Sequence, residues 1–130
     1  MKAIYAALLE PLNGEGYAIR VPDVSGCVTT GKDLVEAMDN IQDALCGCLC
    51  VLEDEGQLIP PPTAPEAVGD GKQTVVLVQV DTDKYRRETD TRAIRKNVSL
   101  PAWLAYLADK KGINCSQALQ RELKRQLHVN

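Results

Sequence analysis

RKNVSLPAWLAYLADKKGINCSQALQRELKRQL, residues Arg95–Leu127, changes its hydrophobic period partway along, and the rest of the chain is best read outward from it. Over Arg95–Leu100, Val98 and Leu100 alternate with Arg95, Asn97 and Ser99, the period-2 pattern of a strand. Lys96 falls on the apolar side of that pattern, where a long side chain must snorkel unless the strand starts at Asn97. Pro101 then stands at a helix start, where its fixed φ fits and its missing N–H would have had no partner. Trp103, Leu104, Leu107 and Ala108 follow at helical spacing, and Lys110, Lys111 and Gly112 form a helix end. Asn114 is placed to cap a second helix, in which Leu119, Leu123 and Leu127 recur every fourth residue.

A strand and two helices in roughly 35 residues cannot bury a core alone, because domains below about 40 residues need disulfides, metal or a partner. A two-fold partner would pair the lone strand with its copy and satisfy its unpaired N–H and C=O groups. The dimer core would then hold Val98, Leu100, Leu104, Leu107, Leu119 and Leu123. A two-stranded ribbon fits the major groove of B-DNA, and its outward side chains would be Arg95, Asn97 and Ser99. Arg matches guanine O6/N7 and Asn matches adenine N6/N7, which makes these three the expected base contacts. Expected phosphate contacts are Arg92, Lys96 and the backbone N–H groups of Cys115 and Ser116 at the start of the second helix. The N-V-S-L-P run at 97–101 followed by G-I-N-C-S at 112–116 resembles the ribbon-helix-helix repressors. A helix pair that only dimerises would show the same leucine spacing.

Charge separates the chain into two halves. Residues 1–83 hold four basic and fourteen acidic side chains, a net of −10, whereas residues 84–130 hold eleven basic and four acidic, a net of +7. The basic half suits nucleic acid, and the acidic half repels it and suits a basic protein. The overall composition, 45% hydrophobic and 25% charged, is that of an ordinary globular protein. The start MKAIYAALLEP is too short in apolar residues for a signal-peptide core, and no run approaches the ~18 apolar residues of a membrane span. A cytoplasmic protein without membrane contact is expected. The cysteines Cys27, Cys46, Cys48, Cys50 and Cys115 lack Cys-x-x-Cys spacing, and the only histidine is His128, so neither metal nor cofactor is expected.

Toward the N-terminus, Lys2 to Leu9 reads as a strand, Pro11 to Gly16 as a turn, Tyr17 to Val21 as its partner and Cys27 to Thr30 as a third strand. Asp33 then caps a long amphipathic helix, with Glu36 at capping-box spacing and Val35, Met38, Leu45, Leu49 and Leu52 as its apolar face. Small residues at Ala44, Cys46, Gly47, Cys48 and Cys50 allow it to lie close on the sheet. Ile59 to Pro65 is a stiff polyproline-like connector, and T-V-V-L-V-Q-V at 74–80 is expected to be a buried strand.

The series Tyr5-Ala6-Ala7-Leu8, Gly16-Tyr17, Val21-Pro22-Asp23, Gly26-Cys27, Thr30-Gly31 and Ile59-Pro60 is similar, in order and spacing, to the N-terminal domain of HicB-type antitoxins. The similarity covers Met1 to about Asp81; Ser25 departs from it where the family often has a second proline. It implies an α+β protein: a βββαβ partial RNase H-like domain over residues 1–81, a linker over 82–92 and a ribbon-helix-helix module over 93–130. It further implies an antitoxin that neutralises a HicA-type messenger RNA interferase and represses its own operon as a homodimer or larger oligomer. Asp23, Glu36, Asp39 and Asp43 are the expected toxin contacts. The alternative is a repressor whose N-terminal domain senses a small molecule. A nuclease is not expected, because the acidic residues fall mostly on a helix face and not on converging strands that could hold two metal ions.

Overall fold

Asp33 opens the longest helix of the protein. Its carboxylate accepts from the Glu36 N–H at 2.8 Å, and helix α1 then runs over Leu34–Asp54. The computed structural model describes residues 1–129 and divides the chain into two units, Met1–Arg92 and Ala93–Asn130.

In the first unit, strands β1 (Lys2–Pro11), β2 (Tyr17–Arg20), β3 (Val28–Gly31) and β4 (Thr74–Asp81) form an antiparallel sheet in the order β3-β2-β1-β4. The βββαβ order expected from sequence is therefore present. One face carries Tyr5, Ala7, Leu9, Ile19, Val78 and Val80 against Ala37, Ile41, Leu45 and Leu49 of α1, and this is the main core. Gly31 permits the close contact at the start of α1: a Cβ there would lie 2.3 Å from the Ala37 nitrogen, so any side chain would force the helix off the sheet.

Three features of the first unit differ from expectation. Val35 is 72% exposed, because the buried stripe of α1 runs through Ala37, Ile41, Leu45 and Leu49, and nothing covers the first turn on its other side. Strand β4 forms, but only Val78 and Val80 are buried, while Val75 and Leu77 remain accessible on the opposite face. The sheet has one helix layer, so an apolar run can lie at its edge with one side open. The segment 82–92, read as a linker, contains helix α2 (Thr82–Thr89) within the first unit. Asp81 caps α2 by accepting from the Lys84 N–H at 3.0 Å. Arg86 fastens it to α1, donating to the Cys50 carbonyl at 3.1 Å and pairing with Glu53 at 3.2 Å and Asp54 at 3.0 Å.

The connector after α1 is anchored as well as stiff. Tyr5 donates its hydroxyl to the Pro60 carbonyl at 2.5 Å, and a short 3-10 turn over Pro65–Ala67 brings Val68 onto Ala6 and Leu8. All five cysteines are free; Cys27, Cys46 and Cys50 are buried and Cys115 is exposed. Burial and the neighbouring Cys48 thiol push the Cys27 thiol up to about 12, so it behaves as a small apolar core residue.

The second unit contains helices α3 (Ala102–Lys110) and α4 (Cys115–Leu127). Gly112, at φ +69°, takes the left-handed conformation that ends α3, with the Ile113 N–H donating to the Ala108 carbonyl at 2.9 Å. The Asn114 side chain accepts from the Gln117 N–H at 3.1 Å as N-cap of α4. The strand expected over Arg95–Leu100 does not form, and residues 90–101 have no regular structure in the single chain. A strand is defined by its ladder, and one copy of 95–100 has nothing to pair with. No helix of the described residues is long and apolar enough to cross a membrane.

Candidate functional site

Each unit presents a distinct surface. In the second, none of the described residues is buried, although its two helices are regular and capped. Val98, Leu100, Leu104, Leu107, Leu119 and Leu123, expected as a dimer core, are all exposed in the single chain, from 36% at Leu119 to 57% at Val98. With these side chains only about half covered, the helix pair buries too little apolar surface to offset its ordering entropy.

Around this apolar set lie the expected DNA contacts. Arg95, Lys96, Asn97 and Ser99 are exposed in the irregular segment before α3 and have no ion-pair or side-chain hydrogen-bond partner among the described residues. Cys115 and Ser116 occupy the first positions of α4, where the backbone N–H groups have no intrahelical acceptor. Arg92 differs. It closes the first unit and holds both oxygens of Asp90, at 2.9 and 3.1 Å, which keeps the Asp90 carboxyl below the usual carboxylate range. Arg125 is similarly engaged with Glu122, one helical turn earlier on α4.

In the first unit, Glu36, Asp39 and Asp43 share one side of α1. Glu36 pairs with Lys32 at 3.8 Å, while Asp39 and Asp43 line a cleft of about 530 Å³ with Asp81, Lys84 and Tyr85. Burial and the Asp43 carboxylate raise the Tyr85 hydroxyl above its ordinary value. Asp23 stands apart from this group, on the turn between β2 and β3. Its two carboxylate oxygens accept from the Thr63 N–H at 2.8 Å and the Thr63 hydroxyl at 2.6 Å, so it ties the proline-rich connector to that turn.

Sequence reasoning missed α2 and Arg86. The signal was present: Asp81 at an N-cap position, Asp83 in the first turn and Arg86 and Arg87 in the last complement a helix dipole. With the division placed at the observed unit boundary, residues 1–92 carry a net −8 and 93–130 a net +5, so the charge contrast remains. Among the described residues, no group of three or more His, Cys, Asp or Glu side chains is disposed to hold a metal ion.

The model of the HicB-like antitoxins of bacterial toxin–antitoxin systems matches residues 5–121. An uncharacterised 14.9 kDa protein from the rep-hol intergenic region of Haemophilus phage HP1 is 29% identical over 108 residues, 82% of this chain and 80% of that protein. Among solved structures, a toxin–antitoxin complex from Streptococcus pneumoniae matches with TM-score 0.61 and 21% identity, covering 97% of this chain and 99% of its own. The Burkholderia pseudomallei antitoxin HicB matches with TM-score 0.56 and 22% identity over 93% of this chain and 96% of its own. At these identities the solved structures establish a shared fold, and the family model, matched across most of both units, establishes membership. The chain belongs to the HicB-like antitoxins of bacterial toxin–antitoxin systems.

Proposed function

We propose that the first unit binds and masks a small basic RNA-cleaving toxin of the HicA type, and that the second unit pairs with a second copy as a ribbon-helix-helix and represses the chain's own operon on operator DNA. The observation that carries this reading is the division of charge and burial: a net −8 on a unit with its own core, and +5 on a unit with none. An RNA-cleaving protein needs a basic substrate groove, for which Asp39 and Asp43, exposed beside the cleft, compete electrostatically. Glu36 extends that face, while Asp23 serves to hold the connector in place. The S. pneumoniae relative was solved as a complex of toxin with antitoxin.

In the second unit, pairing of 95–100 with its two-fold copy gives the strand the ladder it lacks. Val98, Leu100 and the four leucines of α3 and α4 are then covered. Arg95, Asn97 and Ser99 stand outward toward base edges, with Lys96 and the α4 N-terminus on phosphates.

The test is the double variant Arg95→Ala/Asn97→Ala, assayed by gel shift and by rescue of cells expressing a HicA-type toxin. Each lost bidentate contact removes about 1–3 kcal/mol of discrimination, doubled by symmetry, so operator binding falls to the non-specific level while rescue is unchanged. Retained operator binding by the folded variant contradicts the ribbon; lost rescue contradicts the division of labour. If neutralisation is absent but a metabolite releases the DNA, the sensor reading replaces the antitoxin one.

A further inference from the structure

We propose that β4 is a second self-association surface, pairing edge to edge with β4 of another copy, antiparallel about Leu77, to join two sheets into one. Strand β4 ends the sheet, hydrogen-bonded to β1 on one side only. Edge strands are normally shortened, bulged, or guarded by lysine or proline. This one runs eight residues, Thr74–Asp81, with an unbroken register to β1 from Thr74 to Asp81 and no charged residue or proline before Asp81.

The open edge has a defined polarity. The Leu12 N–H bonds the Gly16 carbonyl at 3.0 Å, which fixes the even positions of β1 as those bonded to β2 and the odd ones as those bonded to β4. By the register to β1, Thr74, Val76, Val78 and Val80 then face β1, and Val75, Leu77 and Gln79 turn their N–H and C=O groups outward. The Gln42 side-chain amide donates to the Gln79 carbonyl at 3.0 Å, as expected for an outward acceptor without a strand beside it.

A second copy fits this edge better than an arbitrary strand, because the sequence is complementary to itself about Leu77. Pairing there sets Val75 opposite the partner's Gln79 and Leu77 opposite the partner's Leu77. No charge meets a like charge. Centring on Val78 instead would set Asp81 opposite the partner's Val75. The open face of the sheet beside the edge is also apolar: Leu77 is 55% exposed and Ile4 53%, and the pairing would bring both toward the two-fold axis. The surface lies wholly in the first unit, so it adds to whatever association the second unit makes.

Cysteine cross-linking reads the register directly in the full chain. In a Cys48→Ser/Cys115→Ser background, Leu77→Cys should form an intermolecular disulfide when diamide is added, two thiols giving up two electrons and two protons to the oxidant. Directly opposed residues of a hydrogen-bonded antiparallel pair have Cα atoms about 5.5 Å apart, inside the roughly 4.4–6.8 Å that a disulfide spans. The greater part of Leu77→Cys should migrate as a dimer on a non-reducing gel. Val75→Cys or Gln79→Cys alone should not, whereas the Val75→Cys/Gln79→Cys pair should. That pair repeats the test if Leu77→Cys proves unfolded by circular dichroism. A folded Leu77→Cys chain that stays monomeric on the gel, equal cross-linking at every position, or cross-linking only to a co-expressed basic partner would each overturn the proposal.

Discussion

The two units are apolar in similar proportion and use those residues in opposite ways. In the first, Ile41, Leu45 and Leu49 of α1 are fully buried against Tyr5, Ile19 and Val80 of the sheet. In the second, Leu104, Leu107, Leu119 and Leu123 repeat at the same helical spacing and none is buried. Amphipathic spacing therefore identifies a face that needs covering, and the number of neighbouring elements decides whether the same chain can cover it. A sheet of four strands supplies a surface for α1, whereas two short helices can offer each other only part of one.

The largest expected effect lies in the unit without a core. Leu104→Ala removes a side chain from each copy of the proposed dimer, costing about 2–5 kcal/mol per chain and doubled by symmetry. Sedimentation should show a smaller assembly, joined at most through β4, with loss of DNA binding but a folded first unit; an assembly of unchanged size would place the interface elsewhere. Ile41→Ala should cost about 2–5 kcal/mol within the first unit alone, read as a lower urea midpoint that does not require the DNA-binding unit to change. A parallel loss of operator affinity at low temperature would break the comparison.

Most of the first unit was legible in the sequence because its periods are unmistakable: the Asp33 cap, the helical repeat behind it and the Pro-Asp and Thr-Gly punctuation of the strands. Strand β4 was legible as a strand but not as an edge, since an apolar run is the same whether one face or both are covered. Helix α2, TDKYRRET, was hidden by its composition: Tyr85 is its one large apolar residue, and the helix is held by the buried Thr82, by Tyr85 against the core and by Arg86 reaching across to α1. Of the acidic residues expected at one site, Glu36, Asp39 and Asp43 do share a face. Asp23 does not join them, because a carboxylate beside a turn is as well placed to accept bonds from a distant segment, here Thr63, as to meet a partner.

Smaller effects sharpen that contrast between carboxylates. Asp23→Ala removes the acceptor of both Thr63 bonds, roughly 1 kcal/mol, and should speed protease cleavage within the 59–65 connector while toxin neutralisation remains. Lost neutralisation with an intact connector would return Asp23 to the binding face. The smallest effect is at Asp81, where the Lys84 N–H holds the carboxyl below its ordinary value. A depressed folded-state value means that the ionised carboxylate stabilises α2 above the ordinary carboxylate range, and that this contribution is lost as pH falls through the lowered value. Asp81→Ala should therefore fray α2 near neutral pH and remove its share of the acid dependence, measured by amide exchange at Tyr85 and Arg86; unchanged exchange would show that the cap contributes nothing to the helix.

Trp103 is the only tryptophan of the chain and lies on α3, so its fluorescence reports the second unit alone. Urea unfolding followed at Trp103 should shift to higher midpoint as the full chain is concentrated, because a unit completed by a second copy gains about 2.7 kcal/mol for each hundredfold rise in partner concentration above its dissociation constant. The first unit should remain folded at dilutions where the Trp103 signal is already that of the unfolded chain. A Trp103 transition whose midpoint is the same at nanomolar and high micromolar chain concentration would mean that α3 and α4 hold together unaided, and would contradict the account.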